Sequence, residues 1–461
     1  ASTPVAIDTG MVVSDLDNGT LASATFQIGT GFHAGEDVLG FINDGATMGN
    51  ITASYDAAQG TLTLSSAHGT ATLAQWQAAL RSVSYTDTAV TPDTATRTIS
   101  FSVNDGTKSS TPLTRTVTVA DVDQTPVIGS GSSGPAAFQA GDNTVSTPIA
   151  IDSGITLSDL DNATLASAKV QIGTGFHPGE DVLLFVNDGA TMGNITASYD
   201  AVHGTLTLTS AGASATLAQW QAALRSVSYT DTAITPDTAT RTIGFSVSDG
   251  TKTSATYSRD LTVADVDQTP VVGSSSSGSV PFQAADNAPS SPVTIDDGIT
   301  LSDLDNGTFA SAIVQIGVGF HAGEDVLSFV NDGLTMGNIT ASYDAVHGTL
   351  TLTSAGATAA LAQWQAALRS VTYVDTAVTP DTATRSIGFS VSDGTKTSAT
   401  YSRDLTVADT DQTPILTTGS TGSVAFTAGD NVASTPVAID TGMVVSDLDN
   451  GTLASATFQI G

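Results

Sequence analysis

Cysteine is absent from the 461 residues, which excludes disulfide staples and thiolate metal sites. Basic side chains are scarce: 13 lysines and arginines stand against 45 aspartates and glutamates, a net charge of −32. Such a chain has no patch with which to neutralise phosphates, so nucleic acid is excluded as a partner, and an anionic membrane surface with it. No run approaches the ~18 apolar residues of a membrane-spanning helix, so no membrane insertion is expected in this segment. The opening "ASTPVAIDTG" lacks the basic and apolar regions of a signal peptide, and any export signal is expected outside this window. Catalytic signatures are missing too: there is no Gly-x-Ser-x-Gly elbow, no phosphate-cradling loop and no His-Glu-x-x-His. No enzyme is expected. The acidic surplus suits solubility, self-repulsion and the binding of hard cations such as Ca²⁺.

What the chain has in abundance is repetition. "SDLDN" begins at Ser14, Ser158, Ser302 and Ser446, and "LAQWQAALRSV" carries Trp76, Trp220 and Trp364, each a step of 144 residues. That step is far longer than a solenoid repeat of about 20–50 residues; it is the size of a domain with its own core. Three steps take up 432 residues, and the remaining 29, Ala433 to Gly461, match Ala1 to Gly29 letter for letter. The chain therefore reads as a window on a longer array whose larger unit is three domains, unless copies one and four are simply close relatives. The seams fall at a proline, dividing the chain into 1–125, 126–269, 270–413 and 414–461. On this phasing copy one lacks its opening strand and copy four holds only its first strands. The Gly/Ser-rich stretches after each seam read as a loop that enters a first strand.

Within a copy, apolar residues alternate. Ile99, Phe101 and Val103 share one face of "TISFSVND", as do Leu62 with Leu64, Phe26 with Ile28, and Val117 with Val119. Period-two alternation marks half-buried antiparallel strands, and "NDG" and "DAAQG" mark turns between them. One segment has helical spacing: Leu73, Trp76, Leu80 and Val83 form a stripe that caps one end or edge of the core. Seven or eight strands with one short helix predict an all-β sandwich in each copy. Trp76 and Tyr85 are expected in the core, Arg81 and Arg97 in pairs with internal acids, and Asp105 in a hairpin turn. The "GEDV" acids Glu36 and Asp37, with Glu180/Asp181 and Glu324/Asp325, are expected in a solvated turn.

The seams themselves carry the candidate chemistry. "ADVDQTPV" at 120 and 264 and "ADTDQTPI" at 408 each place two aspartates one residue apart before a proline that fixes φ. Ca²⁺ takes six to eight oxygen ligands. At the first seam Asp121 and Asp123, meeting Asp159 and Asp161 of the next copy, would supply four carboxylates. The corresponding sets are Asp265, Asp267, Asp303 and Asp305, then Asp409, Asp411, Asp447 and Asp449. Each seam thus reads as a calcium-stiffened hinge; otherwise these aspartates cap turns.

The run from "LAQWQAALRSVSYTDT" through "SFSVNDG" to "TVADVDQTPV" resembles the cadherin-like and Ig-like tandem repeats of giant bacterial surface adhesins and biofilm-matrix proteins, the type I secreted, repeats-in-toxin-adhesin type. The resemblance covers all three copies. It implies a tandem array of Ig-like or cadherin-like Greek-key sandwiches at the cell surface or outside the cell. Cadherins hold Ca²⁺ between domains with a linker "DxNDNxP" and a downstream "DxD". Asp121 and Asp123 resemble the linker acids, and Asp159 and Asp161 the downstream pair. Gln124 stands where cadherins supply a further oxygen ligand, and the upstream "LDRE" acids have no counterpart, which puts full three-ion occupancy in doubt. Two functions fit: a calcium-rigidified extender or adhesion rod of an adhesin, partnered by neighbouring repeats of its own chain, or a subunit that associates with other copies into an extracellular filament, sheath or matrix fibre.

Overall fold

A computed structural model describes residues 2–461. The chain packs as two units, residues 2–136, 149–230 and 240–262 in one and residues 137–148, 231–239 and 263–461 in the other. The second unit contains copy three entire. Its main sheet has six strands, in the order Val280–Gln283, Tyr401–Ala408, Arg385–Ser392, Ser311–Ile316, Thr349–Ser354 and Ile339–Asp344. The first of these lies parallel to its neighbour and the rest pair antiparallel. A three-stranded sheet of Val293–Thr294, Thr372–Asp375 and Asp325–Ser328 faces it, and Val271–Ser274 pairs with Ile299–Ser302. Spatial neighbours are distant in sequence, so the chain crosses between sheets as sandwiches do. The alternation behaves as its period requires: along Arg385–Ser392 every second residue is buried. Those side chains join Phe282, Trp364 and Tyr373 in one core.

In the first unit, copy one builds a five-stranded sheet in the order Ile51–Asp56, Thr61–Ser66, Ser23–Ile28, Arg97–Asn104 and Leu113–Val117. A three-stranded sheet of Val5–Ala6, Ser84–Asp87 and Asp37–Gly40 accompanies it. In copy three the parallel strand Val280–Gln283 covers the edge at Tyr401–Ala408 and Leu405 is fully buried. Copy one has no such strand among the described residues, and Val117 and Val119, at the positions of Leu405 and Val407, are only half-buried. The Gly/Ser-rich stretch after the first seam is structured rather than slack: Val127–Ser130 pairs antiparallel with Ile155–Ser158.

The helices are Leu73–Ser82, Leu217–Ser226 and Leu361–Arg369, at the expected place in each copy. Thr72 starts the first with a reciprocal cap: Gln75 N donates to Thr72 Oγ1 (3.3 Å) and Thr72 N donates to Gln75 Oε1 (2.9 Å). Copy three has Ala360 there and keeps only the Gln363 half of the cap (2.9 Å). Trp76, Trp220 and Trp364 are fully buried, as expected of core anchors. Each indole N–H donates to a backbone carbonyl, of Leu21 (2.9 Å), Leu165 (2.9 Å) and Phe309 (3.0 Å), so no buried donor is stranded. No helix among the described residues is long and apolar enough to cross a membrane.

The expectation of a solvated turn at "GEDV" fails for its aspartate. Asp37, Asp181 and Asp325 are buried. Asp37 accepts from Arg97 Nε at 3.0 Å and from His33 N at 2.7 Å, with the Tyr85 hydroxyl as a further donor. Arg97 is itself fully buried and its NH2 reaches Asp87 at 3.3 Å. A buried carboxylate is stable only when so paired, and the partner lies 60 residues away, where a local reading cannot see it. Arg97 thus pairs internally as expected. Arg81 does not: its Nε donates to the Met11 carbonyl at 2.7 Å.

Candidate metal site at the seams

The seam before copy three lies wholly within the second unit. Its linker runs from the end of Tyr401–Ala408's counterpart strand through Asp265, Val266, Asp267 and Gln268 to Pro270. The "SDLDN" loop folds as an Asx turn: Asp303 Oδ1 accepts from Asp305 N (3.2 Å) and Asn306 N (3.1 Å). This loop meets the linker. Gln268 N donates to Asp305 Oδ2 at 2.9 Å and Asn306 Nδ2 donates to Asp267 Oδ1 at 3.1 Å. The other seams repeat the pattern. Gln124 N reaches Asp161 Oδ2 (2.7 Å) and Asn162 Nδ2 reaches Asp123 Oδ1 (3.3 Å). Gln412 N reaches Asp449 Oδ2 (2.8 Å) and Asn450 Nδ2 reaches Asp411 Oδ1 (3.1 Å).

The two aspartates of each linker therefore behave differently. The second, Asp123, Asp267 or Asp411, meets the downstream loop. The first turns back on the linker: Asp121, Asp265 and Asp409 accept from the N–H of the next residue at 2.8, 2.9 and 2.9 Å. Among the described residues, no three histidine, aspartate or glutamate side chains stand gathered in ligating positions.

A third element joins the seam that the sequence does not announce. The "SDGTK" hairpin of copy three brings Thr395, whose hydroxyl donates to Asp267 Oδ2, and Lys396, whose ammonium donates to the Asp267 carbonyl. At the preceding seam Thr251 and Lys252 do the same to Asp123. The hairpin aspartate makes the turn expected for Asp105: Asp393 Oδ1 accepts from Thr395 N (2.6 Å) and Lys396 N (2.8 Å). Its other oxygen has no donor. Asp303 Oδ2 and Asp393 Oδ2 are buried without a hydrogen-bond partner, and so are Asp159 Oδ2 and Asp249 Oδ2 in copy two. Burial pushes the Asp303 carboxyl up to about 6, with the neighbouring Asp305 adding to the rise. Asp159 is raised for the same reasons.

The upstream side of the seam is tied by amides. Gln268, 1% exposed, accepts from Asn143 N at 2.7 Å and donates to the Gly141 carbonyl at 3.0 Å. Asn143 sits at φ 51°, in the left-handed region that asparagine tolerates. Asp142 accepts from Thr269 N at 2.8 Å and from Lys396 Nζ at 2.8 Å. Lys396, then Thr269, hold the Asp142 carboxyl down to about 2. Gln268 thus clasps the linker to the Gly141–Asn143 loop of copy two.

No family model matches the chain. Halomucin of Haloquadratum walsbyi is 26% identical over 395 residues, an alignment that covers 80% of this chain but 4% of halomucin. The chain is thus a small fraction of the length of that curated relative. The human desmocollin-1 ectodomain aligns with a TM-score of 0.19 and 11% identity, over 86% of this chain and 56% of that one. Immunoglobulin domains 1–4 of Sidekick-1 align at 0.21 and 8%, over 85% and 72%. The C-terminal domain of the Streptococcus agalactiae antigen I/II polypeptide BspA aligns at 0.17 and 11%, over 52% and 84%. Likenesses at these scores and identities say nothing of activity or partner.

Proposed function

We propose that the chain is an extracellular structural repeat region, a non-catalytic extender of a bacterial surface adhesin whose seams are stiffened by Ca²⁺. The observation that carries this reading is that the seam's loop and its hairpin each hold a buried carboxylate oxygen without a donor, Asp303 Oδ2 and Asp393 Oδ2, and that copy two repeats this at Asp159 Oδ2 and Asp249 Oδ2. A buried carboxylate oxygen left unpaired is costly, and a hard cation is the partner that a carboxylate-rich, thiol-free seam is built to take. At the seam before copy three Asp303 and Asp393 would offer their unpaired oxygens, and Asp267, Asp305 and Asp265 would join by giving up their bonds to Thr395, Asn306, Gln268 and the linker, since they do not stand gathered in ligating positions. Bound calcium supplies charge neutralisation and a rigid cross-link between linker, loop and hairpin.

Calorimetry and thermal melting of the chain with calcium test the proposal. Binding to the folded state alone stabilises it by ~2.7 kcal/mol at a hundredfold excess over Kd, so a rise in melting temperature should accompany the heat. The variant carrying Asp267→Asn and Asp303→Asn should lose one seam's share of both. Absence of heat and of any melting shift in the unaltered chain would return these aspartates to turn capping. Ordered fibres of the purified chain on electron-microscope grids would move the reading to a self-associating filament.

A further inference from the structure

Lysine is used four times in the chain, and three of the four, Lys108, Lys252 and Lys396, follow the "DGT" of the same hairpin in successive copies. Its counterpart is rewritten at the same step: Asp142, Asp286 and Asp430 all precede the asparagine of an "AGDN" or "AADN" loop. In a chain with a net charge of −32, two of the four lysines, Lys252 and Lys396, reach a seam. The seam before copy three contains both members of one pair. Lys396 Nζ lies 2.8 Å from Asp142 Oδ2, and the two side chains are 30% and 38% exposed. The same ammonium donates to the Asp267 carbonyl. One side chain therefore joins the hairpin of copy three that carries it to the linker and to the "AGDN" loop of copy two.

Resting on the reading of Asp267, Asp303 and Asp393 as cation ligands, we infer that Lys396 is a resident cation of the seam. It supplies from within the chain one of the positive charges that these carboxylates require, and it ties copy three directly to copy two. Two consequences separate it from calcium. A chelator removes calcium and leaves the lysine, so the seam keeps part of its alignment in a chelator. Salt acts in the opposite sense: a partly exposed ion pair is screened by added electrolyte, so the alignment that survives chelation is lost as ionic strength rises.

Hydrogen exchange of the linker peptide 264–270 in the full chain tests this, because the amides of Gln268 and Thr269 are tied across the seam, to Asp305 and Asp142. In chelator at low salt, Lys396→Gln should exchange about threefold faster than the unaltered chain, the scale of one partly exposed ion pair. At about 0.5 M NaCl, where screening acts within a few ångströms, the two should converge. Lys396→Arg, which keeps the cation and leaves the Thr269–Asp142 bonds in place, should recover most of the protection, and peptides around Trp364 report that copy three is still folded. Equal linker exchange for Lys396→Gln and the unaltered chain in low-salt chelator would overturn the inference, as would Lys396→Arg exchanging as fast as Lys396→Gln. Calcium enters as a separate arm. If calcium slows linker exchange in neither protein, the calcium reading fails, while the lysine comparison in chelator still stands or falls by itself.

Discussion

Arg385→Met is the sharpest test of what holds a copy together. Arg385 is fully buried and donates through Nε to both Asp325 oxygens at 3.1 and 3.2 Å. Its NH2 reaches Asp375 at 3.2 Å, and its NH1 reaches the carbonyls of Asp381 (3.0 Å) and Ala383 (2.6 Å). Methionine roughly preserves the apolar stem but leaves Asp325 and Asp375 buried together without their cation. Breaking a buried pair by removing one partner costs ~3–5 kcal/mol. For a domain of this size that corresponds to a fall of about 10 °C in Tm. Scanning calorimetry should show copy three melting early, with Arg97 and Arg241 intact in the other copies as an internal reference. Acid sharpens the test. Burial already raises the Asp375 carboxyl and Arg385 lowers it, so the variant raises it further. A raised folded-state value gives stability that is present below the unfolded value and lost as pH climbs through the folded one. The gap between variant and parent should therefore narrow toward pH 4–5. A Tm shift under about 2 °C at neutral pH, or a gap that widens in acid, would refute the reasoning.

The missing half of a helix cap makes a stabilising prediction: Ala360→Thr restores what Thr72 and Thr216 have, and should raise copy three by ~0.5–1 kcal/mol, seen as a Tm rise in that copy alone. Trp364→Ala should cost copy three ~3–5 kcal/mol and leave the other copies' transitions in place; lost surface binding with unchanged melting would make the tryptophan a ligand platform instead. Asp152 is buried, which pushes its carboxyl up, but Ser132 (2.7 Å), Ser130 (2.8 Å), Tyr257 (2.8 Å) and Gly154 N (2.8 Å) outweigh burial and hold it at about 2. Its contribution is then present above the ordinary value of 3.8 and lost as pH falls toward 2. Acid titration followed by circular dichroism should lose that step in Asp152→Asn.

Local patterns made most of the fold legible. A period of two in "TISFSVND" and of three to four in "LAQWQAAL" follow from how side chains leave strands and helices, and the structure places a strand at Arg97–Asn104 and a helix at Leu73–Ser82. Illegible were the features whose cause lies far along the chain. Asp37 reads as a turn acid because its neighbours are Glu36 and Gly35, yet it is buried because Arg97 reaches it from another strand. A first strand after each seam is legible, but not that Val280–Gln283 runs parallel to its neighbour: "SVPFQ" is short and holds a proline, and its pairing with Leu405–Ala408 supplies what its own propensity lacks.

The seam divides along the same line. "SDLDN" and "DVDQTP" stand out because each is repeated and rich in carboxylates, and the contacts from Gln268 to Asp305 and from Asn306 to Asp267 join those two words. The hairpin that completes the seam reads as an ordinary "SDG" turn, and its Asp393 does cap that turn with one oxygen. What else the hairpin does depends on Asp267, 126 residues before Asp393, which Thr395 and Lys396 contact. One signal for this was present. In a chain with 13 basic residues against 45 acidic ones, a lysine that returns at every copy beside the same turn has an electrostatic task. A turn needs its aspartate and glycine, but it has no need of a cation. Charge scarcity therefore points to the seam's third element where motif matching cannot, because Lys396 is fixed beside Asp142 and the Asp267 linker, where an acidic chain would otherwise repel itself.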